Sequence, residues 1–291
     1  MQTGPNKFRV AALLTVHNRR ATTLQCLANL YAQAEASDIF GLDVYVVDDG
    51  STDGTSEAIS AQFPNTRIIA RGGDLFWSRG MMVAQTVAER DHPDFFLWLN
   101  DDVLLDEGSV ERLIQNQVSG PSSAIVVGAT RDPASGETTY SGATLARPQR
   151  STSLRLVKPD VSRSTDIDTF NGNLVLLPAI TAWRVGKVDG RYRHAYGDID
   201  YGLRARGIGV PVKLAPGHYG ICPRNSPRGS WQDHTMSRYR RMRALFGPKG
   251  IPVRSHWIFV SRHSGWLAPG YFLGSYFRSI GQILLMPRKS T

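Results

Sequence analysis

The amino-acid sequence predicts an α/β protein with a mostly parallel sheet flanked by helices on both faces. The first observation is a series of short apolar runs without alternation, such as RVAALLTV at residues 9–16, which is typical of strands buried on both faces. The second is that segments with helical periodicity separate these runs, which indicates repeated βαβ units. The 291 residues suit one large domain or one and a half. With Cys26 and Cys222 as the only cysteines, no disulfide framework is expected.

The predicted elements follow in regular order. Strands are expected at residues 9–16, 42–47, 66–70, 94–99, 124–128 and 173–177. Helices are expected at residues 20–34, 53–62, 78–90, 107–117, 178–185 and 198–206. The stretch 131–163, rich in Ser, Thr, Pro, Gly and Arg, indicates an insertion or hairpin over the sheet, and the regular alternation ends near residue 221. The sequence contains neither the P-loop nor the dinucleotide-binding glycine pattern.

Charge is unevenly distributed along the chain. The whole sequence carries a formal charge of +9, but residues 221–291 contain twelve Lys and Arg and one acid, Asp233. The first 220 residues are therefore slightly acidic. A basic block of this kind is typical of a surface that meets nucleic acid, a membrane or an anionic ligand; a merely solvated face is the other interpretation.

Polar clusters follow three of the predicted strands. TVHNR comes at residues 15–19, DDGSTDG at 48–54 and NDD at 100–102. Ligands bind outside the carboxyl ends of the strands in open parallel sheets, so these clusters are expected on one rim. Two acidic clusters there need a cation or hydrogen-bond donors to offset their repulsion, and Mg²⁺ or Mn²⁺ bound through carboxylates and substrate phosphates suits this chemistry. Each acidic cluster taken alone is equally typical of a solvated turn that caps a helix.

Five segments in a fixed order carry a family resemblance. They are TVHNR (15–19), VVDDGSTDGT (46–55), GGDLFWSRGMMVA (72–84), LWLNDD (97–102) and AYGDIDYGLRARGIG (195–209). In this order they resemble inverting family 2 glycosyltransferases with the GT-A fold, of the bacterial surface-polysaccharide type. Members of that type include rhamnosyl-, galactosyl- and galactofuranosyltransferases. The resemblance covers about residues 8–220.

The resemblance implies a division of the chain. Residues 1–220 are expected to form the GT-A catalytic domain, with a nucleotide-sugar half at about 1–130 and an acceptor half at about 131–220. Residues 221–291 are expected to form a basic, aromatic-rich C-terminal helical extension.

The resemblance also implies a nucleotide site. Its expected residues are Thr15, His17, Arg19, Asp48, Asp49, Arg79 and Asp101. Thr15–Arg19 would wall the base, and Asp49 would accept a hydrogen bond from uracil or thymine. Arg79 would approach the base or the diphosphate, where a cation beside a helix N-terminus suits a dianion; an ordinary exposed helix arginine is the alternative. Asp101 would face the ribose or the metal.

A metal site and a catalytic base are implied in the same way. Asn100-Asp101-Asp102 occupies the family's Asp-x-Asp position, with Asn replacing the first acid. Asp102 is expected to bind Mg²⁺ or Mn²⁺, and His218 to complete the metal shell, although a lone histidine is more often structural. Asp198, in a Gly-Asp pair where the family has Glu-Asp, aligns with the general base that deprotonates the acceptor hydroxyl.

Acceptor contacts are expected from four residues: Trp77, Asn171, Gly172 and Asp200. Trp77 could instead be packed in the core. Asp200 could hold Arg204 or cap its helix, and both acids of the 198–200 segment could be first-turn residues favoured by the helix dipole.

The extension combines a cationic cluster at residues 238–243 with aromatic and aliphatic segments up to residue 286. Arginine beside Trp, Phe and Leu indicates contact with an anionic membrane interface. A helical subdomain packed on the catalytic domain, or a homodimer contact, is the alternative. No nucleic-acid motif is present, so no nucleic-acid partner is expected. The sequence has no membrane-spanning apolar run and no signal peptide, which predicts a cytoplasmic protein, peripheral on the inner face of the membrane if the extension binds lipid.

Together these observations predict a metal-dependent hexosyl or deoxyhexosyl transferase. It would move a sugar, with inversion, from a UDP- or dTDP-sugar to a hydroxyl of a saccharide, lipid-linked in the case of surface-polysaccharide synthesis. One alternative is a sugar-1-phosphate nucleotidyltransferase, although such enzymes carry a glycine-rich loop after the first strand and TVHNR has no glycine. The other is a non-catalytic saccharide-binding assembly protein.

Overall fold

The computed structural model describes residues 7–146 and 153–285. The strands are β1 (Phe8–Val16), β2 (Phe40–Asp48), β3 (Arg67–Ala70), β4 (Phe95–Leu99), β5 (Leu104–Leu105), β6 (Ile125–Arg131), β7 (Thr138–Tyr140), β8 (Gly142–Leu145), β9 (Leu154–Leu156), β10 (Thr165–Asp166), β11 (Thr169–Phe170), β12 (Leu174–Pro178) and β13 (Val212–Ile221). The helices are α1 (Arg20–Glu35), α2 (Thr55–Gln62), α3 (Phe76–Ala88), α4 (Ser109–Val118), α5 (Ala179–Val185), α6 (Gly197–Gly207), α7 (Arg238–Leu245), α8 (Val253–His263) and α9 (Ala268–Leu285). The predicted domains also include residues 1–6, 147–152 and 286–291, which lie outside the described part.

One large mixed sheet organises the part of the chain that precedes the C-terminal extension. Its strand order is β10-β13-β6-β12-β4-β1-β2-β3. β1 runs parallel to β2 and β4, β2 to β3, and β6 to β13, whereas β12 is antiparallel to both its neighbours. Val16 pairs with Asp48 at the end of the β1–β2 ladder, so the segments that follow these two strands leave the sheet side by side.

The sheet is buried on both faces, which explains why its strands do not alternate. Along β1, Val10 and Leu14 pack into the apolar cluster with α1, while Leu13 packs into the opposite cluster with Met81 of α3. Successive side chains of a strand point to opposite faces, so a strand covered on both sides must be apolar throughout. The predicted α/β class is confirmed.

Each predicted strand is present in the structure, and the insertion predicted over 131–163 contains the β8–β9 hairpin, which pairs with β11 in a second, three-stranded sheet. β13 has no counterpart among the predicted strands. That strand contains Pro216 and Gly217, and its register against β6 shifts on both sides of His218. Proline and glycine inside a strand are typical of a bulge. His218 therefore lies within a strand that the sequence pattern does not reveal.

The C-terminal extension packs on the part of the chain that contains the large sheet. Phe259 of α8 and Ala268 of α9 share an apolar cluster with Tyr192 and Leu203, and the Phe259 ring stacks on Tyr196 with centroids 4.8 Å apart. The packed helical subdomain considered as an alternative is what the structure contains. Within the described residues, no helix has the length and apolar character needed to cross a bilayer.

Candidate active site

The three polar clusters meet at one edge of the sheet. His17 Nδ1 lies 2.7 Å from the carbonyl oxygen of Asp49, and the amide of Asn18 donates to Ser51 Oγ at 2.9 Å. Arg19 reaches the third cluster, after β4. These contacts join the segments that follow β1, β2 and β4 into one surface, as expected for the carboxyl ends of neighbouring parallel strands.

Arg19 bridges the two acids that follow β4. Its Nη1 donates to Asp101 Oδ1 at 2.7 Å and its Nη2 to Asp102 Oδ2 at 2.9 Å. Burial raises the pKa of Asp101 to about 6, the charge of Asp102 acts in the same direction, and Arg19 opposes both. Burial alone would lower the pKa of Arg19, but the two carboxylates outweigh it and the net shift is upward. One guanidinium thus offsets much of the repulsion between the acids.

Asp102 has a second neighbour that sequence reasoning missed. The thiol of Cys222, just after β13, lies 3.5 Å from Asp102 Oδ1, and Asn173 Nδ2 lies 3.7 Å from that sulfur. Burial raises the pKa of Cys222, and the charge of Asp102 adds to the shift, so the thiol is neutral. No pattern in the sequence links Cys222 to an acid 120 residues earlier.

His218 is engaged elsewhere. Its Nε2 lies 3.0 Å from Thr138 Oγ1, and its carbonyl oxygen accepts from Arg112 at 3.2 Å. Burial and the charge of Arg131 lower its pKa. Among the described residues no three His, Cys, Asp or Glu side chains are arranged to hold a metal ion, and the metal-ligand roles of Asp102 and His218 stay predictions.

The two acids after β2 are buried and bonded to backbone. Both oxygens of Asp49 accept from backbone amides at the start of α3, those of Gly73, Leu75 and Phe76, at 2.8–3.2 Å. Asp48 accepts from the amide of Ser51 at 2.8 Å and from the Ser56 hydroxyl. In this structure the two carboxylates hold the loops beside the site in place, while reading of the base by Asp49 stays a prediction.

Asn100 stands where the family's Asp-x-Asp pattern has its first acid, and a hydrogen bond shows how the site accommodates it. The Trp77 indole N–H donates to Asn100 Oδ1 at 2.8 Å. An amide oxygen accepts this bond as a carboxylate would, without adding a third negative charge at the rim. Trp77 in turn covers Gly172, where a Cβ atom would lie 2.4 Å from Trp77 Cζ2.

Asp198 lies directly beside this contact, at the start of α6. Its Oδ2 accepts from the Gly172 amide at 2.9 Å and its Oδ1 from the Ile199 amide at 2.8 Å. Burial raises the pKa of Asp198 and these amides act against the rise. The residue as a whole is half-buried. A desolvated carboxylate on a residue that is not fully enclosed has the properties of a general base.

The sequence agrees with this geometry at the level of the family. Residues 12–173, more than half of the chain, match the family model described as glycosyl transferase family 2. The chain belongs to this family. A comparison with curated protein sequences finds no match.

Solved structures share the fold of this family 2 glycosyltransferase. The mannosyltransferase PcManGT from Pyrobaculum calidifontis, in complex with GDP-Man and Mn²⁺, superposes with a TM-score of 0.57 at 16% identity, over 96% of this chain and 74% of its own. S. aureus TarS 1–349 in complex with UDP gives 0.58 at 13% identity, over 96% and 75%. GalNAc-T7 with UDP, GalNAc and Mn²⁺ gives 0.56 at 10% identity, over 97% of this chain but 56% of its own. These similarities support the predicted GT-A fold.

Three other predicted site residues, Thr15, Arg79 and Asn171, contact neighbouring parts of the protein itself. Arg79 Nε donates to the Gly190 carbonyl at 2.8 Å. Thr15 packs beneath α3, where a Cβ at Gly80 would lie 2.4 Å from its side chain. The backbone amide of Asn171 donates to the Ser141 carbonyl oxygen at 3.1 Å. None of these contacts excludes a ligand, so their predicted roles stay predictions.

Asp200 does not face the acceptor. Its side chain is fully buried and accepts from Arg204 Nε at 2.9 Å and from Arg262 Nη1 at 2.7 Å. The expected acceptor contact of Asp200 is wrong, because donors surround its carboxylate and no saccharide can reach it. The alternative, that it holds Arg204, agrees with the structure. The partner 62 residues later, Arg262, gave no signal in the sequence.

Proposed function

We propose that this family 2 protein is an inverting glycosyltransferase that moves a hexosyl or deoxyhexosyl group from a UDP- or dTDP-sugar to a hydroxyl of a saccharide. The observation that carries the proposal is the position of Asp198, a desolvated carboxylate connected through Gly172, Trp77 and Asn100 to the acidic rim. This path supports the assignment of Asp198 as the base on the acceptor side of a nucleotide-sugar surface. The complexes of related folds with GDP-Man or UDP support the choice of donor class.

In the proposed reaction, Asp198 takes the proton from the acceptor hydroxyl as its oxygen attacks the anomeric carbon from the face opposite the leaving nucleotide. A single displacement inverts the anomeric configuration and requires one carboxylate at the reacting centre. The raised pKa of Asp198 increases its affinity for the proton. The Gly172 and Ile199 amides fix the orientation of the carboxylate.

The rim has limited capacity for a divalent cation. Asp101 is buried and both its oxygens are bonded, to Arg19 and to Thr23. The Asp102 side chain retains some exposure, and one of its two oxygens faces only the weak thiol donor of Cys222. Mg²⁺ in nucleotide sites often uses one or two carboxylates and completes its shell with phosphates and water. Asp102 would therefore be the residue that holds Mg²⁺ or Mn²⁺, which supplies Lewis-acid stabilisation of the departing diphosphate. Arg19, 42% exposed, would contact that diphosphate as well.

We propose a lipid-diphosphate-linked saccharide as acceptor, used at the inner face of the cell membrane in surface-polysaccharide synthesis. The support is a set of exposed side chains on α8 and α9, which we name the α8–α9 face: Val253, Arg254, Trp257, Leu273 and Phe277. The four apolar members are 45–72% exposed. Trp257 packs edge-on against Phe272 at 5.3 Å, so the two helices are in contact beside these residues.

Charge favours an anionic lipid surface as partner of the α8–α9 face. Arg254 lies on it, Arg278 follows Phe277, and residues 221–291 contain a single acid. Apolar and basic side chains on one face are typical of helices that lie in the membrane interface, where each basic residue adds about 1 kcal/mol on anionic lipid.

Vesicle flotation tests the membrane proposal. The protein should float with phosphatidylglycerol-containing vesicles and not with pure phosphatidylcholine. Phe277→Glu should abolish flotation, while Trp183→Glu, a matched change at an exposed aromatic of α5, should not. Equal or absent binding to both vesicles, or a dimer in sedimentation that Phe277→Glu dissociates, would refute membrane docking.

The catalytic proposal is tested by release of UDP or dTDP from a panel of nucleotide-sugars, with and without Mn²⁺ and with saccharide acceptors. Asp198→Asn should lower transfer by about 10²- to 10⁴-fold while nucleotide affinity, measured by calorimetry, is retained. Unchanged turnover in that variant would remove Asp198 as the base. Formation of nucleotide-sugar and pyrophosphate from a nucleoside triphosphate and a sugar 1-phosphate would identify a nucleotidyltransferase instead.

A further inference from the structure

Asp200 is a buried carboxylate at which two distant parts of the chain meet. Besides Arg204 from its own helix, it accepts from Arg262 Nη1 to both oxygens, at 2.7 and 2.8 Å, and His263 Nε2 lies 2.8 Å from Oδ1. The Tyr192 hydroxyl donates to it at 3.1 Å. A buried ion is tolerated only when charge and hydrogen bonds compensate its lost hydration, so α8 supplies much of what keeps Asp200 in place.

Arg262 also binds a second acid, Asp189, at the other end of the segment 189–200. Its Nη2 donates to Asp189 Oδ2 at 2.7 Å. One guanidinium therefore spans Asp189 and Asp200, and Asp198 lies between these two anchors in the chain. The planar fork of arginine makes such fixed two-point contacts, which lysine cannot reproduce.

The backbone between the anchors is held in an uncommon conformation. Tyr196 has a φ of +77°, a region that residues other than glycine adopt only when their surroundings impose it. Its ring stacks on Phe259 of α8 at 4.8 Å and lies 5.6 Å from the His256 ring. Tyr196 directly precedes the first turn of α6, so α8 fixes the approach to Asp198.

The opposite side of the segment rests on the nucleotide half. A Cβ at Gly197 would lie 2.3 Å from Ser78 Oγ, and the Ser78 amide donates to the Arg193 carbonyl at 3.1 Å. With the Gly172 amide bonded to Asp198 itself, the segment is enclosed between α3 on one side and α8 on the other.

We infer that Arg262 is a positioning residue for Asp198: its bridge between Asp189 and Asp200 makes the C-terminal extension part of the acceptor side of the active site. The inference rests on the proposed function, in which Asp198 is the base. Arg262 does not touch the reacting atoms. It acts through Asp200 and the start of α6, where displacement of a catalytic group by about 1 Å lowers rates by up to about 100-fold.

The test compares Arg262→Gln and Arg262→Lys with wild type in the full chain. Arg262→Gln should lower kcat for transfer about tenfold while the donor KM changes less than twofold, because the rim contacts are separate. Arg262→Lys should recover only part of the loss. Arg184→Gln, the same change at an exposed arginine of α5, should match wild type.

Two further measurements separate positioning from general destabilisation. Hydrogen exchange should rise at the amides of residues 196–200 in Arg262→Gln, with no change at residues 48–54. Rates are normalised to the fraction that binds UDP, so unfolded protein does not count. Unchanged normalised kcat, or unchanged exchange at 196–200, would overturn the inference. A wild type that transfers no sugar would instead overturn the proposed function, and the exchange result would still decide whether Arg262 holds the segment.

Discussion

The acids at the rim and the acid at Asp200 are neutralised in different ways. At the rim, Arg19 pairs with Asp101 and Asp102 while 42% of its side chain remains exposed. At Asp200 the carboxylate is fully buried, and its main partner Arg262 is 26% exposed. Both regions put arginine against aspartate, but the first leaves more of the arginine side chain in water.

This difference separates an exchangeable ion pair from a fixed one. An exposed arginine can leave a carboxylate and be replaced by ligand charge or solvent at little cost. A buried carboxylate that loses its partner keeps an uncompensated charge. In the proposed reaction the rim would suit binding and release of an anionic donor, and the Asp200 region would hold the acceptor side of the site rigid.

The largest expected contrast is between the stability losses caused by Asp→Asn substitution at Asp200 and at Asp102 of the rim. Asp200→Asn should lower the free energy of unfolding by about 3–5 kcal/mol, because Arg204 and Arg262 lose their shared counter-charge. Urea denaturation followed by circular dichroism measures this loss. A loss below about 1 kcal/mol would show that the buried network contributes little and would remove the contrast.

An intermediate effect is expected from pH in the extension. Burial lowers the pKa of His256 to about 4 from 6.5, and the rings of Tyr196, Phe272 and Tyr276 surround it. A histidine whose pKa is depressed in the fold loses stability as pH falls from about 6.5 towards 4, since the unfolded chain takes up the proton first.

His256→Phe should therefore reduce the acid sensitivity of the fold. Between pH 7.5 and 4.5, wild type should lose about 2–3 kcal/mol more stability than the variant, measured from urea midpoints at both values. Equal losses in the two proteins would show that His256 is not the group that titrates.

The smallest effect on stability is expected at the rim. Asp102→Asn should change the free energy of unfolding by less than about 1 kcal/mol, because its pair with Arg19 is partly exposed. The same variant should weaken Mn²⁺-dependent binding of UDP, read by calorimetry. A stability loss comparable to that of Asp200→Asn would mean that both pairs are structural.

The sequence predicted the fold and the rim because both depend on local patterns. Apolar runs such as 94–99 identify strands by themselves, and the acids that follow a strand must lie at its carboxyl end. The antiparallel direction of β12 left no such pattern, since a strand buried on both faces is apolar whichever way it runs. β13 was missed because Pro216 and Gly217 interrupt its apolar pattern.

The remaining site residues depend on contacts between distant parts of the chain. Cys222 lies beside Asp102 because the end of β13 pairs with β5, and Arg262 reaches Asp200 because α8 packs on α6. Nothing in the spacing of these residues encodes either contact. The acceptor role predicted for Asp200 failed for this reason. Its place in the 195–209 segment does not reveal that Arg262, from the extension, binds its buried carboxylate.

The close contact at Gly172 has a consequence for sequence divergence. No methyl group fits there, since it would lie 2.4 Å from Trp77 and 3.3 Å from the Cβ of Asp198. The backbone of Gly172 does not have a positive φ, so selection for glycine at this position is steric and acts through the neighbouring side chains. Substitution there would disturb the indole and the base together, so divergent relatives that keep this tryptophan and this aspartate should keep the glycine as well.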